Sequence, residues 1–244
     1  MQGRMARSSA PVLYFLGVLA TMALAALAAW PAFEGLSYFA TGAGYAVYGG
    51  MHCPILISPR EAGIIRADFA NPTDAVIQRY YEVEISGRVA ARHLEGQIAL
   101  APHTSEHVTW MVNAGDIDLE PFIFVKMDVL PIGNYGTREA TCGILVADVA
   151  GMSGGEALSA GLAIGLLCLL GGVLVPGLGL TPKEAMQFES KASTNSRRAL
   201  QALGLTSATA LLAGLMGWWP AAMLLLAVSL LLLTMVLPYA ISRR

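Results

Sequence analysis

The stretch GIIRADFANPTDAVIQRYYEVEIS, residues 63–86, changes face with almost every residue. Ile65, Ala67 and Phe69 alternate with Arg66 and Asp68. After Asn71-Pro72-Thr73-Asp74, Ile77, Tyr81, Val83 and Ile85 alternate with Gln78, Glu82 and Glu84. Successive strand side chains point to opposite faces, so a period of two predicts two half-buried strands joined by a turn. The same rhythm continues through RVAARHL, GQIALAP, HVTWMVN, PFIFVKMDVL and CGILVADV, with CPILIS ahead of it. About eight short strands, punctuated by Pro, Gly, Asn and Asp, predict an antiparallel β-sandwich over residues 53–150.

Outside that region the composition changes. The 244-residue chain is 55% hydrophobic and 13% charged, against about 25% charged in an ordinary soluble domain. Residues 11–33, 158–180, 199–218 and 221–241 contain no Asp, Glu, Lys, Arg or His. Each approaches the length of about 20 residues that a helix needs to cross a bilayer, so the expectation is four transmembrane helices carrying one sandwich. The expected segments are an N-terminal stretch with the first helix (1–33), a Gly- and aromatic-rich linker (34–52) and the sandwich (53–150). They continue with a linker and second helix (151–180), a loop (181–198) and a helical hairpin with the C-terminus (199–244). In the linker, Tyr38, Phe39, Tyr45 and Tyr48 suit a membrane interface or a neighbouring protein.

Charge bias gives an orientation. Arg4, Arg7, Lys183, Lys191, Arg197, Arg198, Arg243 and Arg244 lie outside 34–157, with only Glu184 and Glu189 opposing them. Segment 34–157 holds seven basic and fifteen acidic residues. The positive-inside rule then puts both termini and the 181–198 loop on the cytoplasmic side of a bacterial membrane, and the sandwich outside. Trp218 and Trp219, at a helix end, fit an aromatic belt. Ala26-Leu27-Ala28 resembles a signal-peptide cleavage site. The apolar core ahead of it exceeds the usual length for a signal, however, which favours an uncleaved anchor.

The succession NPTD followed by IALAPHTSEHVTW resembles bacterial extracytoplasmic modules of the immunoglobulin or fibronectin-III kind. In these a strand ends at Leu-x-Pro, a polar turn follows, and the next strand brings an aromatic into the core. The resemblance covers roughly residues 53–150 and implies a sandwich; its motifs belong to the fold and not to one activity. Of the three cysteines, Cys168 falls within an apolar run, while Cys53 and Cys142 bracket the sandwich. A pair in that position on the oxidising side reads as a disulfide, in preference to free thiols or a metal site. Closing such a loop stabilises a fold by about 4–5 kcal/mol in the chain-entropy account.

Motifs for chemistry are missing from the sequence. His52, His93, His103 and His107 all lie outside the apolar runs, and His103 and His107 flank a turn that leads into a strand. There is no Cys-x-x-Cys, Gly-x-Ser-x-Gly or Gly-x-x-x-x-Gly-Lys. The Gly-rich segment GNYGTREATCG, residues 133–143, reads as a long turn. Glu82 with Glu84 and Asp116 with Asp118 read as solvated acids. The acidic balance of 34–157 argues against nucleic acid. No cofactor, metal or small-molecule ligand is expected, and no catalysis.

The apolar runs hold small residues instead: Gly161, Gly165, Gly172 and Pro176 in one, Gly204, Ala208 and Gly214 in the next, with Gly217 near its end. Small residues at such spacing let helix backbones approach, either within this chain or on another subunit. The expectation is packing of the second helix on the third. Functionally, these features fit a non-catalytic accessory subunit of a larger bacterial membrane complex, of the respiratory or photosynthetic electron-transfer type. Its helices would dock on other membrane subunits and the lipid bilayer. An envelope receptor or binding module is the alternative, and a small transporter or membrane enzyme is disfavoured by the uncharged helices.

Overall fold

The computed structural model describes residues 2–39, 46–119, 121–130, 137–178 and 191–241. It divides into two compact units, Trp30–Ala157 and Met1–Ala29 with Leu158–Arg244.

The first unit is a two-sheet sandwich. Nine strands form it: β1 (Ala46–Val47), β2 (Met51–His52), β3 (Leu56–Ile57), β4 (Gly63–Ala70), β5 (Ile77–Ile85), β6 (Arg92–Leu100), β7 (Ser105–Val112), β8 (Phe122–Val129) and β9 (Arg138–Val146). One sheet runs β2-β4-β7; the other runs β1-β9-β8-β5-β6, with β3 also pairing β9 in parallel. The chain changes sheet between β4 and β5, between β6 and β7, and again between β7 and β8. Those crossings are the Greek-key connections of an immunoglobulin-like sandwich. Alternation produces the core directly: Ile65, Ala67 and Phe69 of β4 face Val83, Ile85, Val125, Met127 and Ile144 from the other sheet.

Two strand boundaries differ from the sequence expectation. RVAARHL and GQIALAP are not separate strands; β6 runs unbroken from Arg92 to Leu100 through Gly96. Gly96 lies opposite Tyr81, whose ring occupies the place a Cβ would take, so the aromatic covers the glycine and the ladder continues. Strand β9 starts at Arg138, ahead of Cys142, because it pairs with β8 along its whole length.

The helical unit contains α1 (Gln2–Tyr38), α2 (Gly154–Leu178), α3 (Lys191–Leu215) and α4 (Trp219–Ile241). Residues 2–29 of α1 belong here, and residues 30–38 to the sandwich unit. The linker expected from residue 34 is therefore helical up to Tyr38. Tyr14, Val18, Met22 and Ala25 of α1 bury with Leu203, Ala210 and Leu211 of α3 and Leu226 of α4. Buried hydroxyls are bonded locally: Thr21 donates to the Gly17 and Val18 carbonyls, Ser207 to Gly204, and Ser229 to Thr206 Oγ1.

The expectation of four membrane-spanning helices is corrected. Among the described residues only Val12–Tyr38 and Gly154–Gly171 are long and apolar enough to cross a membrane. The apolar helix Trp219–Met235 is shorter. Helix α3 begins with the polar turns around Lys191, and its charge-free part from residue 199 to Leu215 spans about 25 Å, short of a hydrocarbon core of about 30 Å. A turn at residues 216–218 cuts the run that composition alone reads as continuous. Buried Leu203, Ala210 and Leu211 make α3 a packed core helix.

Candidate functional site

Within the sandwich unit the chain's first and last segments meet around one covalent link. Cys53, between β2 and β3, is disulfide-bonded to Cys142 in the middle of β9, with Cα atoms 6.5 Å apart and 89 residues of sequence separation. Together with an N-terminal apolar helix, this bond marks an extracytoplasmic location. Cys168 is a free thiol on α2.

The end of α1 lies against the same place on β9. A Cβ on Gly35 would stand 3.0 Å from the Cys142 carbonyl oxygen, and one on Gly143 would overlap the Pro31 carbonyl. Two glycines, one on each side, let helix backbone rest on strand backbone. Tyr38 closes the contact: its ring stacks on Phe124 with centroids 4.6 Å apart, and its hydroxyl donates to Asp118 Oδ2.

The start of α2 is tied to the same end of the sandwich. Ser153 and Glu156 form a capping box, the Ser153 N–H and hydroxyl donating to Glu156 Oε2 at 2.9 Å each and the Glu156 N–H to Ser153 Oγ. Glu61, from the turn after β3, accepts from the Ser58 N–H at 3.1 Å and from the Gly154 N–H at 2.7 Å. Gly154 also packs on the Leu56 carbonyl, where a Cβ has no room. Ser-x-x-Glu ahead of an apolar run is readable in sequence; the run's edge at 158 places the helix start too late. Glu61 and the Gly35–Gly143 contact carry no sequence signal, since both are tertiary.

The other small residues of the expectation sit in the helical unit. Gly161 faces Leu24, and Gly165 faces Ala20 and Thr21 of α1. Gly204 lies under the Tyr14 ring, and Gly214 meets Ala28 and Ala25 of α1 and Ala222 of α4. Their neighbours are thus chiefly on α1, where the expectation looked to packing of α2 on α3. The surroundings of Gly172 lie outside the described residues. Gly17, on α1, makes the tightest approach: a Cβ there would stand 2.5 Å from the Leu169 nitrogen.

Polar chemistry gathers on the outer face of the larger sheet. Glu95, Glu82, Asp128 and Glu139 pair in succession across β6, β5, β8 and β9. Lys126, one step along, bonds Asp128 at 3.0 Å and Glu139 at 3.6 Å. Burial disfavours its charge, but the Asp128 hydrogen bond and the fields of Asp128 and Glu139 outweigh that and raise its pKa. One Asp128 carboxylate oxygen is buried without a hydrogen-bond partner.

The histidines lie on the surface. His103 bonds Asp74 at 2.8 Å, His52 lies 3.4 Å from Asp68, and His107 and His93 stand exposed on strands. Among the described residues no three His, Cys, Asp or Glu side chains converge as a metal site. Asp116 and Asp118 serve structure: Asp116 takes Arg92 and the Asn113 N–H, and Asp118 takes Tyr38. The start of the Gly-rich segment, residues 133–136, lies outside the described residues.

No protein-family model and no curated protein matches this chain. Solved structures do show likeness. The CARDB domain of the PF1109 protein from Pyrococcus furiosus, solved with di-metal ions, is 12% identical with a TM-score of 0.32, over 40% of this chain and 84% of that one. A Paenibacillus sp. cycloisomaltooligosaccharide glucanotransferase is 14% identical with a TM-score of 0.33, over 43% of this chain and 14% of the enzyme. Bacteroides uniformis beta-glucuronidase 2 is 12% identical with a TM-score of 0.27, over 38% of this chain and 12% of that enzyme. The likeness to the CARDB domain is one of β-sandwich architecture.

Proposed function

We propose that the protein is a non-catalytic accessory subunit of a larger bacterial membrane complex, of the respiratory or photosynthetic electron-transfer type. The observation that carries this reading is the exterior of the helical unit. Leu167, Leu205, Leu212, Leu224 and Met216 are each 59–71% exposed there. Apolar surface on this scale calls for an apolar cover, either lipid chains or partner helices. In this reading α1 and α2 hold the chain in the cytoplasmic membrane. The basic N-terminus, 181–198 loop and C-terminus lie on the cytoplasmic side, and the sandwich braces an extracytoplasmic partner. The carboxylate row on β6, β5, β8 and β9 suits a basic partner surface.

Solubilising native membranes in a mild detergent and isolating the chain tests the reading. A stoichiometric membrane subunit should co-migrate through two orthogonal separations. A chain that elutes alone from fresh membranes defeats it.

A further inference from the structure

The sandwich has two unlike ends. One carries the turns β3–β4, β5–β6 and β8's approach from residue 113, the end of β9 and the start of α2. Both chain crossings out of the sandwich unit, at Trp30 and Ala157, belong to segments packed at this end, Pro31 on Gly143 and Gly154 on Leu56. The other end carries the turns at 71–76 and 101–104.

Exposed apolar residues sort onto the first end. Ile64 and Met111 stand opposite each other at the last positions but one of β4 and β7, 61% and 62% exposed. Val89, at the β5–β6 turn, is 99% exposed, and Leu119 and Val149 project from neighbouring loops. Of the large apolar residues that strands and loops 46–157 leave exposed among the described residues, only Val76 and Tyr80 lie elsewhere.

Charge sorts the same way. The acids at this rim are turned to internal partners: Glu61 to Ser58 and Gly154, Asp116 to Arg92, Asp118 to Tyr38, and Asp148 to the Gly151 N–H. Arg60 and Arg88 are exposed there. The row Glu95–Glu82–Asp128–Glu139 lies further along the sheet, away from the rim. Apolar tips with exposed arginines, and carboxylates withdrawn, are what an anionic lipid surface selects.

We propose that this rim is a lipid-docking surface, with Val89, Ile64 and Met111 entering the headgroup region of a phospholipid bilayer. The proposal rests on the membrane residence argued above, and the experiment separates the two. The full chain is reconstituted into vesicles of phosphatidylethanolamine and phosphatidylglycerol. It carries Cys168→Ser and a fluorophore on a single added cysteine, from Val89→Cys, Ile64→Cys or Val76→Cys. Flotation reports residence, and quenching by a headgroup-level spin-labelled lipid reports docking.

The expected result is flotation of all three, with quenching at 89 and 64 about threefold or more above that at 76, as for groups held at the acyl boundary. Failure to float overturns membrane residence and the docking with it. Flotation with equal quenching at all three sites overturns the docking alone. A fluorophore at 89 that is shielded from aqueous quencher but not reached by the lipid quencher assigns the rim to a protein partner and also overturns it.

Discussion

At the scale of single residues, the disulfide and the buried phenol make separable predictions. Replacing Cys53 and Cys142 together by alanine should lower the sandwich's melting temperature by roughly 10–20 °C, from a loss of about 4 kcal/mol. Calorimetry of the full chain in detergent, with and without reductant, measures it; reductant should leave the double variant unmoved. Tyr48 is half-buried and its hydroxyl bonds the Asp68 carbonyl; burial first and the Asp68 charge second push its pKa up to about 12. A raised pKa means the neutral phenol is the form the fold favours. Its contribution is complete below the unfolded value near pH 10 and is lost as pH rises through about 12. The melting temperature should therefore fall more steeply above pH 10 in the native protein than in Tyr48→Phe. The cysteine pairing was legible because compartment and position narrow the choices for two cysteines. The environment of Tyr48 was not, because Asp68 meets it only through the β2–β4 pairing.

At the scale of elements, backbone contacts decide where the helices attach. Gly143→Ala puts a methyl into the Pro31 carbonyl. It should cost about 1–3 kcal/mol, as overpacking does, and hydrogen exchange should accelerate at residues 30–38 while β5 and β6 stay protected. Glu61→Gln removes the charge facing the α2 N-terminus and should cost about 1 kcal/mol there, read as faster exchange at residues 154–157. The strands of residues 63–86 could be read from period two alone, since one face is buried and the other wet. Gly96 misled the reading of β6 because the ring that covers it comes from another strand. The helices were harder. A charge-free run records composition, whereas spanning length depends on where the helix turns, and the turn at 216–218 has no charge to announce it. The helical glycines were visible as small residues, but their partners on α1 were not, because spacing along one helix does not name the helix opposite.

At the scale of the whole molecule, the exposed leucines and methionines of the helical unit predict solution behaviour. Without detergent or lipid the chain should sediment as a broad mixture of assemblies, and in mild detergent as one species, by analytical ultracentrifugation. The position of the sulfur bridge also has a mechanical consequence. Tension applied through α1 and α2 reaches the sandwich at residues 30 and 157 and passes across Cys53–Cys142. The segment between the cysteines, with its 89-residue separation, is then shielded from load. Pulled by its two helices, the oxidised chain can pay out only the short stretches outside the bridge. Reduction should add a contour length of about 300 Å to the same experiment, at up to about 3.6 Å per residue. On the outer face of a membrane under load from a partner, the bridge is a tether of fixed length between two anchors, and the sandwich hangs from it unstretched.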